Sequence, residues 1–157
     1  EITWVTGVQT CALPILSVSC GTTPAKFGLK LTDLQAGSKV TGILGAGFTE
    51  AQNYGLGQVS GRRTGGYSVT LRDLRSSSTA LFPIMRVGTG TWQNSDGKVT
   101  QAPTQYSWRS STTVTPASIS QLTGTIAVKA VINKGQDLDL SRDITLDGRA
   151  TLELSYI

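Results

Sequence analysis

Over residues 149–156 apolar and polar side chains alternate without a break. Ala150, Leu152, Leu154 and Tyr156 fall on one face of an extended chain, and Arg149, Thr151, Glu153 and Ser155 fall on the other. A period of two over this length predicts a half-buried β-strand. Such a strand needs a neighbour, because an unpaired edge leaves a row of open backbone donors and acceptors.

The same pattern recurs upstream. Leu16, Val18 and Cys20 alternate with serines, and after a turn over 21–24 the residues Phe27, Leu29 and Leu31 alternate with Lys26, Gly28 and Lys30. These two segments read as consecutive antiparallel strands sharing one core face. A glycine-dense, mobile connection follows over 37–66, with short extended pieces at 39–44 and 54–59. Tyr67, Val69 and Leu71 mark a further strand. Residues 80–87 mark another, which Pro83 assigns to an edge. Residues 94–97 form a turn, and Tyr106 and Trp108 share one face of a strand ending near Ser111. The longest strand covers 121–133, with Leu122, Ile126, Val128 and Ile132 on one face. Leu138, Leu140 and Ile144 are expected to point inward from a loop. At most a single helical turn fits, over 31–37 or 49–53. The fold class expected is an all-β antiparallel sandwich.

One segment changes the picture. Residues 5–15, VTGVQTCALPI, match one reading frame of a familiar sequencing-library adapter. Residues 1–15 are accordingly set aside as a non-native segment, leaving 16–157 as one domain. On that reading the native N-terminus and any export signal lie upstream. Cys11 is then foreign, and Cys20 becomes a single native cysteine.

Composition agrees with a turn-rich β domain: 157 residues, 18 glycines, 15% charged residues and no histidine. The net charge of +4 is scattered apart from Arg62 and Arg63, which does not favour nucleic acid. No apolar run approaches the roughly 20 residues of a membrane-spanning helix. Without histidine there is no Ser-His-Asp triad, and no Ser-x-x-Lys occurs. The glycine pairs around 45–47 and 55–57 lack the strand, helix and Gly-Lys-Ser/Thr of a phosphate loop. The carboxylates Asp137, Asp139, Asp143 and Asp147 are interrupted by leucines and Arg142, which does not suit a calcium loop. No enzyme, cofactor or metal site is expected. Trp108 is expected in the core, and Trp92, beside the 94–97 turn, is the better candidate for an exposed sugar-stacking ring.

The ordered segments SVSC, AKFGLKL, YGLG, GGYSVTL, YSW, LTGTIAVKAVINK and LDLSRDITLDGRATLELSYI resemble pilin-related exported proteins of Gram-negative bacteria. More narrowly, they resemble a fimbrial-like group described as a domain of unknown function. The similarity covers about residues 16–157 and is strongest over the last forty. It implies an Ig-like, pilin-type β-sandwich, N-terminally truncated here, exported to the periplasm and carried to the cell surface. In chaperone–usher subunits of this kind the sandwich lacks its last strand. A periplasmic chaperone, and then the extension of a neighbouring subunit, fills the groove beside the C-terminal strand. By this resemblance Ala150, Leu152 and Leu154 are the groove-side positions, Tyr156 is the penultimate aromatic, and Cys20 is the second family cysteine, normally bridged to one upstream. Ile144 stands where pilins often carry glycine. The implied function is a fimbrial subunit engaged in adhesion, with chaperone, usher and neighbouring subunits as partners. The alternative is a standalone exported sandwich that binds a ligand such as a surface glycan.

Overall fold

A computed structural model describes residues 15–157. The chain forms β1 (Ile15–Ser19), β2 (Phe27–Asp33), β3 (Tyr54–Gly55), β4 (Gln58–Val59), β5 (Arg62–Arg63), β6 (Gly65–Ser76), β7 (Thr79–Ala80), β8 (Phe82–Val87), β9 (Gln93–Asn94), β10 (Thr104–Arg109), β11 (Gln121–Ile132) and β12 (Ala150–Tyr156). Helical structure among the described residues is limited to single 3-10 turns at Ala36–Ser38, Glu50–Gln52 and Gly135–Asp137. The first sheet runs β1-β11-β6-β3, with β7 also on β6. The second runs β12-β2-β10-β8-β9. Every pairing is antiparallel. The result is an all-β, Ig-like antiparallel sandwich.

Alternation explains the packing. In β2, Phe27, Leu29, Leu31 and Asp33 point inward and are buried. In β6 the same is true of Tyr67, Val69 and Leu71, and in β11 of Leu122 and Ile126. Trp108 is fully buried and meets Phe27 edge-on, with ring centroids 5.0 Å apart. Two of the buried tyrosines have protein partners for their hydroxyls. Tyr54 Oη donates to the Val99 carbonyl, and Tyr106 Oη donates to the Lys98 carbonyl while accepting from the Thr100 N–H.

Several local expectations need correction. The segments around Leu16–Cys20 and Phe27–Leu31 do not pair with each other. β1 pairs with β11 in the first sheet, and β2 pairs with β12 and β10 in the second. The 20–26 connection crosses between the sheets, anchored where Ala25 bridges Ile119. Alternation reveals which face is buried, not which sheet supplies the neighbour. Residues 41–44 are turns, so 39–44 is not an extended piece. Leu140 is 69% exposed, so it does not pack inward. Arg62 and Arg63 form β5 of a small hairpin whose two turn residues, Ser60 and Gly61, both have positive φ, the geometry favoured between tightly joined strands.

The sheets share a closed side. From β7, on the edge of β6, the chain passes through Leu81 directly into β8, one strand in from the other sheet's edge. β1 and β12 therefore lie along the opposite rim. Cys11 lies outside the described residues, as do the rest of 1–14.

Candidate functional site

β12 pairs with β2 over its full length: Ala150 with Asp33, Leu152 with Leu31, Leu154 with Leu29, Tyr156 with Phe27. Directly opposed residues of an antiparallel pair share a face. Ala150, Leu152, Leu154 and Tyr156 thus lie on the inward face, as the alternation predicts. Their burial does not follow suit. Ala150 and Leu152 are half-buried and pack on the core, but Leu154 is 43% and Tyr156 79% exposed. Their register partners Leu29 and Phe27 are 0% and 4% exposed. One strand inward the same face is dry; at the rim it is open to water.

Of the four, only Ala150 and Leu152 are packed. The inner face lacks cover beyond Leu152, because among the described residues no strand lies on the far side of β12. Every second residue of β12 also aims its N–H and C=O away from β2. The edge is seven residues, about 24 Å at roughly 3.4 Å per residue. Its outer face is mixed, with Glu153 opposite Lys30 in register.

The rim is fastened at both ends. At the Ala150 end, Asp33 is buried and its carboxylate accepts the N–H of Gln35 and of Gly55, each at 2.9 Å, joining β2 to β3 of the other sheet. Burial pushes the Asp33 carboxyl above its ordinary value, against the opposing pull of these two backbone bonds and of Lys39. Gly55 must be glycine here, since a Cβ would collide with the Gln35 carbonyl and the Ser38 hydroxyl. Asp147, just ahead of β12, accepts from Gln35 at 2.9 Å and pairs with Arg149 at 3.1 Å. Gln35, Ser38, Gly57 and Asp147 line a shallow polar cleft beside it. At the Tyr156 end the Ile157 N–H donates to the Lys26 carbonyl, and the Cys20 N–H to the Ser120 carbonyl. Cys20 is half-buried against the core and carries no disulfide among the described residues.

Asp33 escaped notice in the sequence. The signal was present: it continues the inward phase of Phe27, Leu29 and Leu31, and a carboxylate in that phase must find buried donors. Trp92 is half-buried rather than openly exposed, and the Arg86 guanidinium lies 4.5 Å over its ring. Arg86 Nε donates to Gln105 Oε1 at 2.9 Å. Arg109 lies 4.8 Å over the Phe82 ring and donates to Asn94 Oδ1 and the Ser111 carbonyl. This group sits on the outer face of the second sheet.

Among the described residues no cluster of three or more metal-ligating side chains occurs, and no helix is long and apolar enough to cross a membrane. No family model, curated protein or solved structure matches the chain.

Proposed function

We propose that this chain is a fimbrial, pilus-subunit-like protein assembled by donor-strand complementation at β12, and that it serves adhesion at the cell surface. The supporting observation is the step in burial across one register. Leu154 and Tyr156 share a face with fully buried neighbours and yet meet water. An added strand would satisfy the open backbone groups of β12 and cover both side chains. Covering them contributes roughly 2–4 kcal/mol by area, and each new backbone hydrogen bond adds about 0.5–1.5 kcal/mol net. The partners on this reading are a periplasmic chaperone, an usher and neighbouring subunits, and the location is the periplasm and then the fimbria.

The test is periplasmic co-expression with a chaperone of the chaperone–usher type. The native chain is expected to co-purify as a one-to-one complex. The double substitution Leu152→Glu, Leu154→Glu is expected to abolish it, because two carboxylates would be buried without partners. A native chain that yields no complex, or a double variant that binds as well as native, overturns the reading.

A second reading, a standalone exported binding module, draws on the arginine-bearing outer face of the second sheet. It is separated from the first by the oligomeric state of the secreted protein. A ladder of polymers supports assembly, and a monomer supports the standalone module.

A further inference from the structure

The outer face of the second sheet carries two guanidinium groups that are held in place and left without a counter-ion. On β8 the residues Phe82 and Arg86 point to this face, and on β10 Arg109 and Gln105 stand opposite them. Gln105 is 5% exposed, so the amide that accepts from Arg86 is itself fixed by packing. Trp92 supports one face of the Arg86 plane, and Phe82, 48% exposed, supports Arg109. Cation–π contact and a hydrogen bond donated by Nε together set the orientation of each guanidinium. Among the described residues neither group meets a carboxylate within 4.0 Å. Among the described residues the terminal nitrogens of Arg86 have no acceptor, and neither does one of those of Arg109.

Preordered, uncompensated guanidinium groups are suited to planar anions, which they grip through two parallel N–H bonds. The two sit four positions apart along the strands, about 13 Å at roughly 3.3 Å per residue. That spacing fits anions repeated along one extended ligand. Asn94, which is exposed, adds an amide suited to hydroxyls. The supported ring faces are occupied by the guanidinium groups, which removes the aromatic platform that bases need.

We infer that this face binds an acidic polysaccharide, its uronate carboxylates pairing with Arg86 and Arg109. The inference goes beyond strand addition and holds whether or not β12 takes a partner, because the opposite face of the sheet is used.

Affinity electrophoresis of the full chain through gels containing polygalacturonate tests it, with dextran and single-stranded DNA as comparison polymers. Retardation by polygalacturonate alone is expected, weakening as salt rises. Arg86→Gln with Arg109→Gln is expected to weaken binding about tenfold or more, the scale of one or two charged hydrogen bonds. Arg86→Lys keeps the charge and loses the planar fork, so it too is expected to lose several-fold. Melting curves of each variant check folding. If Arg109→Gln melts early, Arg86→Gln alone decides, because its guanidinium makes only one protein hydrogen bond. Absence of retardation by polygalacturonate, equal retardation by DNA, or native-like binding by Arg86→Lys would each overturn the proposal.

Discussion

Along one rim the sandwich ends in strands of two residues; along the other it ends in β12, seven residues long. On the short-stranded side the long edge of β6 is covered piecemeal. β3 pairs at one end, β7 at the other, and between them Leu71 and Val69 exchange backbone bonds with the 97–99 segment. Beside β8, two residues of β9 pair, and the Ser95 N–H reaches the Pro83 carbonyl. Pro83 contributes no donor on that side, so the ladder stops there without a vacancy. The core-facing side chains Tyr54, Leu81 and Val99 along this rim are each 4% exposed or less. On the β12 rim the inner face opens step by step from Ala150 to Tyr156. Soluble β proteins ordinarily blunt such an edge with charge, proline or short length. β12 has none of these on its inward face. Among the described residues the difference between the rims is thus one of cover: one edge is finished by the chain itself, and along the other the inward side chains of β12 are open.

The largest expected effect separates two leucines opposed in register. Leu29→Ala is expected to cost about 3–5 kcal/mol, because it leaves a cavity in a fully buried site. Leu154→Ala is expected to cost less than about 1 kcal/mol in the isolated domain, since half its side chain already meets water. Urea denaturation of both variants reads the gap. Equal costs would mean that both rims are closed. Next in size, Val99→Ala at the finished rim is expected to lose about 2–3 kcal/mol, by the same measurement. With a strand bound at β12, the cost of Leu154→Ala is expected to rise by roughly 1–2 kcal/mol as its exposed half becomes buried. Denaturation of the chaperone complex, native against variant, checks this.

Much of the architecture was legible from alternation. The 121–133 segment is β11 almost residue for residue, Trp108 is in the core, and the inward phase of β12 is as read. The sheet assignment of β1 and β2 was not legible, because a short connection can close a hairpin or cross between sheets with the same face pattern. Nor was the exposure of Leu154 and Tyr156. Burial depends on what stands opposite, and alternation reports only direction. The turns over 41–44 are not legible in the sequence, because Ile43 and Leu44 suit a strand equally well. In the fold they lie on the outside of the first sheet, where Ile43 approaches Gly66. Asp33 shows the converse: its phase was readable, but its two backbone donors come from residues near in space, one of them in the other sheet.

Asp33 gives a smaller, pH-dependent effect at the fastened end of the open rim. Its folded carboxyl is raised above the ordinary 3.8 by burial, so the native state holds that proton more tightly than the unfolded chain. The contribution is therefore fully present below 3.8 and is lost as pH rises through the raised folded value. Urea midpoints of the native chain and Asp33→Asn, compared from acid toward neutral pH, are expected to differ in slope over that window. Parallel curves would show that Asp33 titrates alike in both states.

The smallest effect on stability belongs to Tyr156, and it sharpens the comparison most. At 79% exposure its ring contributes little to the isolated domain, so Tyr156→Ser is expected to change unfolding free energy by no more than about 0.5 kcal/mol. Its consequence lies in association. An apolar edge facing water tends to pair with another such edge, and removing the aromatic ring lowers the area gained by doing so. Sedimentation at rising concentration is expected to show weaker self-association for Tyr156→Ser than for the native chain, while urea midpoints coincide. A substitution at the finished rim of another largely exposed apolar residue, Val87→Ser, is expected to change neither reading, because no long strand edge accompanies Val87. If Val87→Ser reduced association as much as Tyr156→Ser, the self-contact would be general surface stickiness, and the proposal that the β12 rim receives a strand would lose this support.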